Sequence, residues 1–160
     1  MSHALFNDFS CQLEEMPSSR DYEFIAFGEV ADEGVPGESG PGDSALLPIA
    51  PGRWFAPSPD AAVQSFLEAA IHADSGTVID ISGKWHAMTL IGSGASRLLA
   101  SSIDIEAVLH NRSCAALALF DCPAIVARKP TGFSIWVHSS YAAHFVRVIQ
   151  ELGASLIARK

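Results

Sequence analysis

The densest alternation of apolar and polar positions lies between residues 77 and 100, TVIDISGKWHAMTLIGSGASRLLA. Val78, Ile79 and Ile81 form a strand-like run, Gly83 breaks it, residues 85–91 resume it, and Gly92-Ser93-Gly94 hands the chain to a segment ending in Leu98 and Leu99. This order predicts strand, tight turn, strand and helix, with Ser93 capping the helix. Upstream, residues 22–28 alternate as a strand does, and 45–49 and 53–56 are short strands joined by Pro51-Gly52. Ser58-Pro59-Asp60 then gives three helix-start signals in a row: a cap, a first helical proline and a first-turn acid. The helix they open runs over 59–73 and places Val63, Phe66, Leu67, Ala70 and Ile71 on one face. Downstream, a loop over 103–113 leads to strands at 114–120 and 124–128 about a turn at Asp121-Cys122-Pro123. A turn at 129–132, a strand at 133–138 and a helix over 141–152 follow, the helix capped by Ser139 or Ser140 and ended by Gly153. Strands followed by a helix recur, which predicts an α+β fold with antiparallel or mixed sheets and helices packed on one face.

Two stretches fall outside this rhythm. Residues 1–21 show no period and read as an N-terminal arm, leaving 22–160 as one α+β domain, a size that buries roughly 70% of the unfolded chain's surface. Residues 29–44 hold four glycines and two prolines among acids, the composition of a flexible loop that cannot bury enough apolar area to offset its ordering entropy. Charge sharpens the division. The first 46 residues carry ten acids against Arg20 alone, whereas the other 114 carry eight acids and nine bases. With a net charge of -8 and no basic surface, nucleic acid is excluded as a partner class. Half the residues are apolar, yet no run approaches the roughly 20 that a membrane helix needs, and the first residues lack the pattern of an export signal. Three cysteines without CxxC spacing read as buried free thiols in a reducing compartment, hence a cytoplasmic location.

Candidate chemistry is sparse. Six histidines form no HxH, HxxxH or HExxH pair; His86 and His138 each fall in a strand, where they could converge across the sheet, although a structural role is favoured. No GxSxG elbow occurs, and Cys114 and Cys122 read as packing residues rather than nucleophiles. Gly92-Ser93-Gly94 could present N–H groups to an anion, but it lacks the third glycine of a dinucleotide fingerprint, and a tight turn explains it better. No residue stands out as catalytic or metal-ligating. Trp54, Trp85 and Trp136 are expected in or beside strands, buried in the core or at a partner interface.

Four segments carry a family resemblance: Pro51-Gly52-Arg53-Trp54; residues 78–85 (VIDISGKW); residues 92–99 with Ile103-Asp104-Ile105 after them; and residues 132–137 (GFSIWV) continuing to Ser140-Tyr141. They resemble the gamma subunit of heterotetrameric sarcosine oxidase, a family similar to the folate-binding domain of glycine cleavage T-protein aminomethyltransferases. The resemblance implies two ferredoxin-like halves and a non-catalytic structural role beside alpha, beta and delta subunits. It also implies that FAD, FMN, NAD, zinc and tetrahydrofolate are held by those partners and none by this chain. In such a complex sarcosine, or a related N-methyl amino acid, is oxidatively demethylated and its methyl carbon passes to tetrahydrofolate. Trp54, Trp85 and Trp136 are the candidate partner interface. The alternatives are a stand-alone folate-binding or aminomethyltransferase-like protein, which the missing further domain disfavours, and a homo-oligomeric binding module.

Overall fold

The computed structural model describes residues 2–6, 11–17, 20–26, 46–57, 59, 61–73 and 75–157. The 29–44 loop and the start signals Ser58 and Asp60 lie outside the described residues. Among these residues ten strands and four α-helices follow one another as β1 (Ser2–Phe6), β2 (Cys11–Glu15), β3 (Asp21–Ala26), β4 (Leu47–Ala50), β5 (Arg53–Pro57), α1 (Ala61–His72), β6 (Gly76–Asp80), β7 (Trp85–Ile91), α2 (Ala95–Leu99), α3 (Ile105–Val108), β8 (Cys114–Leu119), β9 (Cys122–Lys129), β10 (Gly132–His138) and α4 (Ala142–Ile157). The fold is α+β with two antiparallel sheets, and it divides into two compact units, Met1–Ser18 with Trp85–Lys160, and Ser19–Lys84.

The first unit holds a six-stranded sheet in the order β1-β2-β7-β10-β9-β8. The stretch read as an arm supplies two of its strands, β1 pairing β2 and β2 pairing β7. Period-2 alternation puts Met88 and Leu90 of β7 on the same face as Phe133, Ile135 and Val137 of β10. Leu98 and Leu99 of α2, Ile105 of α3 and Phe145 and Ile149 of α4 close over that face as one core. Ser134, Trp136, Ile125 and Ala127, on the opposite face of the central strands, are buried too.

Several local details differ from the sequence expectation. The β8–β9 hairpin turns at Phe120-Asp121, both at positive φ (50° and 62°), while Cys122 and Pro123 belong to the strand. A two-residue loop with both residues left-handed matches the strand twist. Phe120 is held there by its N–H, which donates to Ser102 Oγ at 2.8 Å, and by its ring against Phe145. The 103–113 loop contains α3, capped by the Asp104 carboxylate, which accepts from Ala107 N–H. Gly94, not Ser93, is the N-cap of α2, with no side-chain bond. Ser139 and Ser140 form a 3-10 turn ahead of α4 rather than a cap, and Ser140 Oγ instead meets His138 Nδ1 at 2.9 Å. Gly153 does not stop α4; it is buried inside a helix that continues to Ile157. An isolated interior glycine costs only about 1 kcal/mol, which tertiary packing overrides.

The second unit holds a four-stranded sheet in the order β4-β5-β3-β6, the strand order of a ferredoxin-like half, with α1 linking β5 to β6. Phe24 sits at its centre, fully buried, with Trp54 at 5.5 Å and Phe66 at 5.7 Å between ring centroids. Val63, Leu67 and Ala70 of α1 complete this core, as their spacing predicted, whereas Ile71 is 50% exposed. Gly76 is required here: a Cβ on it would lie 2.3 Å from the Phe24 ring. On the other face Glu23, 4% exposed, accepts hydrogen bonds from the Arg53 guanidinium, including one from Nε at 2.7 Å. That pairing offsets the cost of burying a carboxylate.

Gly132 opens β10 at φ +154°, and a Cβ there would come within 2.0 Å of the Leu90 carbonyl oxygen. Gly83 also has positive φ (+81°), but open space surrounds it. Gly132→Ala is therefore expected to lower stability in urea denaturation by roughly 2–5 kcal/mol, combining backbone strain with displacement of β7. Gly83→Ala should cost only the strain, about 1–2 kcal/mol. Equal losses would show that close strand approach is not what Gly132 provides.

Candidate functional site

The three tryptophans do not form one patch. Trp54, 8% exposed, is a core residue of the second unit. Trp136, 5% exposed, lies on β10, where Ala87 and Ile125 flank it in the ladder. Trp85 is half-buried and stands edge-on to His138 at 5.9 Å, and His138 is in turn edge-on to Tyr141 at 6.2 Å. Of the three, only Trp85 has surface to offer a partner directly; the strand alternation that placed the others beside apolar neighbours also buries them.

His86 and His138 do not converge. His86 pairs with Val137 while His138 pairs with Trp85, one register position apart, so the two rings lie on opposite faces. His86 Nε2 is 3.9 Å from Glu15 Oε1. Among the described residues no three His, Cys, Asp or Glu side chains gather into a metal-binding group, and no helix is long and apolar enough to cross a membrane. Cys11, Cys114 and Cys122 are buried and in no disulfide; burial pushes the thiols of Cys11 and Cys114 up to about 11.

Among the described residues each unit has a concave region. The first, of about 580 Å3, lies along α1 beside β3 and β6, with a floor of Leu67, Ile71 and Val78 and polar walls of Arg20, Tyr22 and Glu68. The apolar spacing of α1 predicts Ile71 only as core, and the sequence pattern assigns Arg20 no role. The signals were an apolar helix face one residue wider than the core needs, and a single base in an acidic stretch. The second, of about 480 Å3, lies beside the Gly92-Ser93 turn and the Pro130-Thr131 turn. Its wall is braced by Glu106, which accepts from Ser96 Oγ at 2.5 Å and from Arg128 at 2.8 Å, while Arg128 lies over the Phe133 ring at 5.7 Å. Those bonds, Arg128 first, hold the Glu106 carboxyl below its ordinary value. With its guanidinium committed to Glu106 and Phe133, Arg128 is oriented as a structural brace rather than toward a ligand.

Asp80 and Ser82, two of the residues carrying the family resemblance, shape the end of β6. The Asp80 carboxylate accepts from Ser82 N–H at 2.9 Å, and Ser82 Oγ accepts from Asp21 N–H at 3.2 Å. Hydrogen bonding from Ser82, its side chain first and then its backbone N–H, holds the Asp80 carboxyl below its ordinary value. Their geometry is that of a turn tied back to β3.

No protein-family model and no curated protein matches the chain. Among solved structures it is similar to a chain of the heterotetrameric sarcosine oxidase from Corynebacterium sp. U-96 in complex with pyrrole 2-carboxylate. The TM-score is 0.74 at 19% identity, covering 94% of this chain and 87% of that chain. The likeness is one of fold, and it extends over nearly the whole of two chains of similar length.

Two outcomes follow from this geometry. Because the folded-state pKa of Glu106 is depressed, its contribution to stability is present above the unfolded value, roughly 4.3, and disappears as pH falls through the folded value. Glu106→Gln should thus lower the melting temperature at pH 7, and the gap to wild type should close on acidification below that range; a gap independent of pH would contradict the ion-paired state. Alkylation at pH 8 should label almost no thiol in the native chain and all three once denaturant is added, whereas rapid native labelling would show an accessible cysteine.

Proposed function

We propose that this chain is a non-catalytic structural subunit of a heterotetrameric sarcosine oxidase-like complex. The observation that carries this reading is the near end-to-end fold likeness to a chain of such an enzyme. The segments that resemble the gamma subunit support it, because the strands, turns and helix starts they form are the framework of the fold. In this reading alpha, beta and delta subunits hold FAD, FMN, NAD, zinc and tetrahydrofolate. Sarcosine or a related N-methyl amino acid is demethylated there, in the cytoplasm, and the methyl carbon is transferred to tetrahydrofolate. This chain contributes shape and contact surface, with Trp85 and Tyr141 as aromatic contacts and Trp54 and Trp136 supporting from within.

The test is purification of the tagged full chain from its native cells. Recovery with larger flavin-containing subunits and sarcosine-dependent flavin reduction is expected; recovery only as a free protein would count decisively against the proposal. Calorimetry separates the folate-binding alternative. Tetrahydrofolate added to the isolated chain should give no binding heat, and saturable heat would favour a stand-alone folate protein.

A further inference from the structure

Among the described residues strand β6 ends one side of the four-stranded sheet, and the phase of its hydrogen bonds leaves a defined row pointing outward. Ile81 N–H donates to the Asp21 carbonyl at 2.9 Å, in the register that pairs Ile79 with Glu23 and Thr77 with Ile25. Bonded and non-bonded pairs alternate along an antiparallel ladder. Thr77 and Ile79 therefore bond to β3, while Gly76, Val78 and Asp80 turn their N–H and C=O groups to the open side.

Sheet edges are ordinarily blunted by proline, lysine or an inward charge. The opposite edge of this sheet, β4, carries Pro48. In the other sheet, the exposed residues of edge strand β8 are alanines 116 and 118. Strand β6 reads GTVID, with neither proline nor lysine and a charge only at its last residue. Large apolar groups flank it on both faces, Ile79 at 42% exposure on one and Ile71 at 50% on the other. On the α1 face the strand borders the 580 Å3 groove, whose floor is Leu67, Ile71 and Val78 and whose walls carry Arg20, Tyr22 and Glu68, and the Arg20 charge also reaches Asp80.

We propose that the β6 edge receives an extended segment of a partner polypeptide as an added strand. Its backbone bonds to Gly76, Val78 and Asp80; a large apolar side chain enters the groove against Leu67 and Ile71, and an acidic side chain meets Arg20. The outward row of N–H and C=O groups selects extended backbone over a helix. The groove floor selects a bulky apolar residue, and Arg20 selects an acid. A second copy of this chain fits poorly. Pairing β6 with itself about Val78 would set Gly76 opposite Asp80 and turn only Gly76, Val78 and Asp80 to the groove face, with no bulky side chain to fill it. This surface does not depend on the identity of the complex proposed above and holds for any partner with such a segment.

The full chain is titrated with a blocked seven-residue peptide that alternates threonine with valine and leucine and ends in glutamate, and amide hydrogen exchange is followed residue by residue. At peptide concentrations near ten times the Kd, exchange at Gly76, Val78 and Asp80 should slow about tenfold, with little change at Thr77 and Ile79, which already bond to β3. Val78→Pro removes the outward N–H and leaves the β3 ladder intact, so it should fold and lose about tenfold in affinity. If that variant does not fold, Arg20→Glu serves instead: it should weaken the glutamate peptide and recover binding with a lysine-ended one. Unchanged exchange across the titration would overturn the proposal, as would full affinity in Val78→Pro or Arg20→Glu. So would concentration-dependent dimerisation abolished by Val78→Pro, which would assign the edge to a second copy.

Discussion

The in-register pairing of β7 with β10, seven residue pairs from Gly132 with Ile91 to His138 with Trp85, is the constraint on which the first unit depends. It places Met88, Leu90, Phe133, Ile135 and Val137 on one face, and that shared face is where α2, α3 and α4 find their core. A slip of one residue would turn every one of those side chains to the other face. Gly132 makes the register possible because no side chain intervenes where β10 comes closest to the Leu90 carbonyl. The strands from the N-terminal stretch then extend the sheet from β7, and Met16 N–H carries the ladder further by donating to the Ala87 carbonyl at 2.9 Å.

The second unit rests on a smaller version of the same logic. Phe24 needs the space that Gly76 leaves open, and Trp54, Phe66 and Leu67 close around it. The opposite face admits the buried Glu23 only because Arg53, half-exposed, reaches in to bond it. Polar groups are thus used to fix strands and turns, as with Asp80 and Ser82 at the end of β6. Among the described residues they are not gathered into a reactive cluster.

Much of this was legible in the sequence where local and tertiary preferences agree. Residues 85–91 are a mostly apolar run between turn signals and form β7 with the expected bounds. The apolar spacing of α1 gave Val63, Leu67 and Ala70 as core. Legibility failed where one level overrode another. Strand β2 buries Cys11 and Leu13 in alternation, but two apolar positions in five residues are too short a period to stand out in the sequence. Cys122-Pro123 looked like a turn, yet Pro123 sits in a strand while Phe120 and Asp121 take the left-handed positions that glycine usually fills. Gly153 reads as a helix stop but is buried inside α4. The candidate interface was half legible: three tryptophans signal large apolar contacts, but sequence does not separate the core contacts of Trp54 from the half-open setting of Trp85. The β6 edge was hidden altogether, since a strand's position at the end of a sheet is a property of topology.

If the chain serves as proposed, its contribution is architecture rather than chemistry. The most direct measurement is the size, flavin content and sarcosine-oxidising activity of the assembly purified from cells that lack this chain, beside cells in which it is restored. The subunit reading predicts that without it the larger subunits separate and activity falls, and that the restored chain recovers both. An assembly of full size and full activity in its absence would contradict that reading.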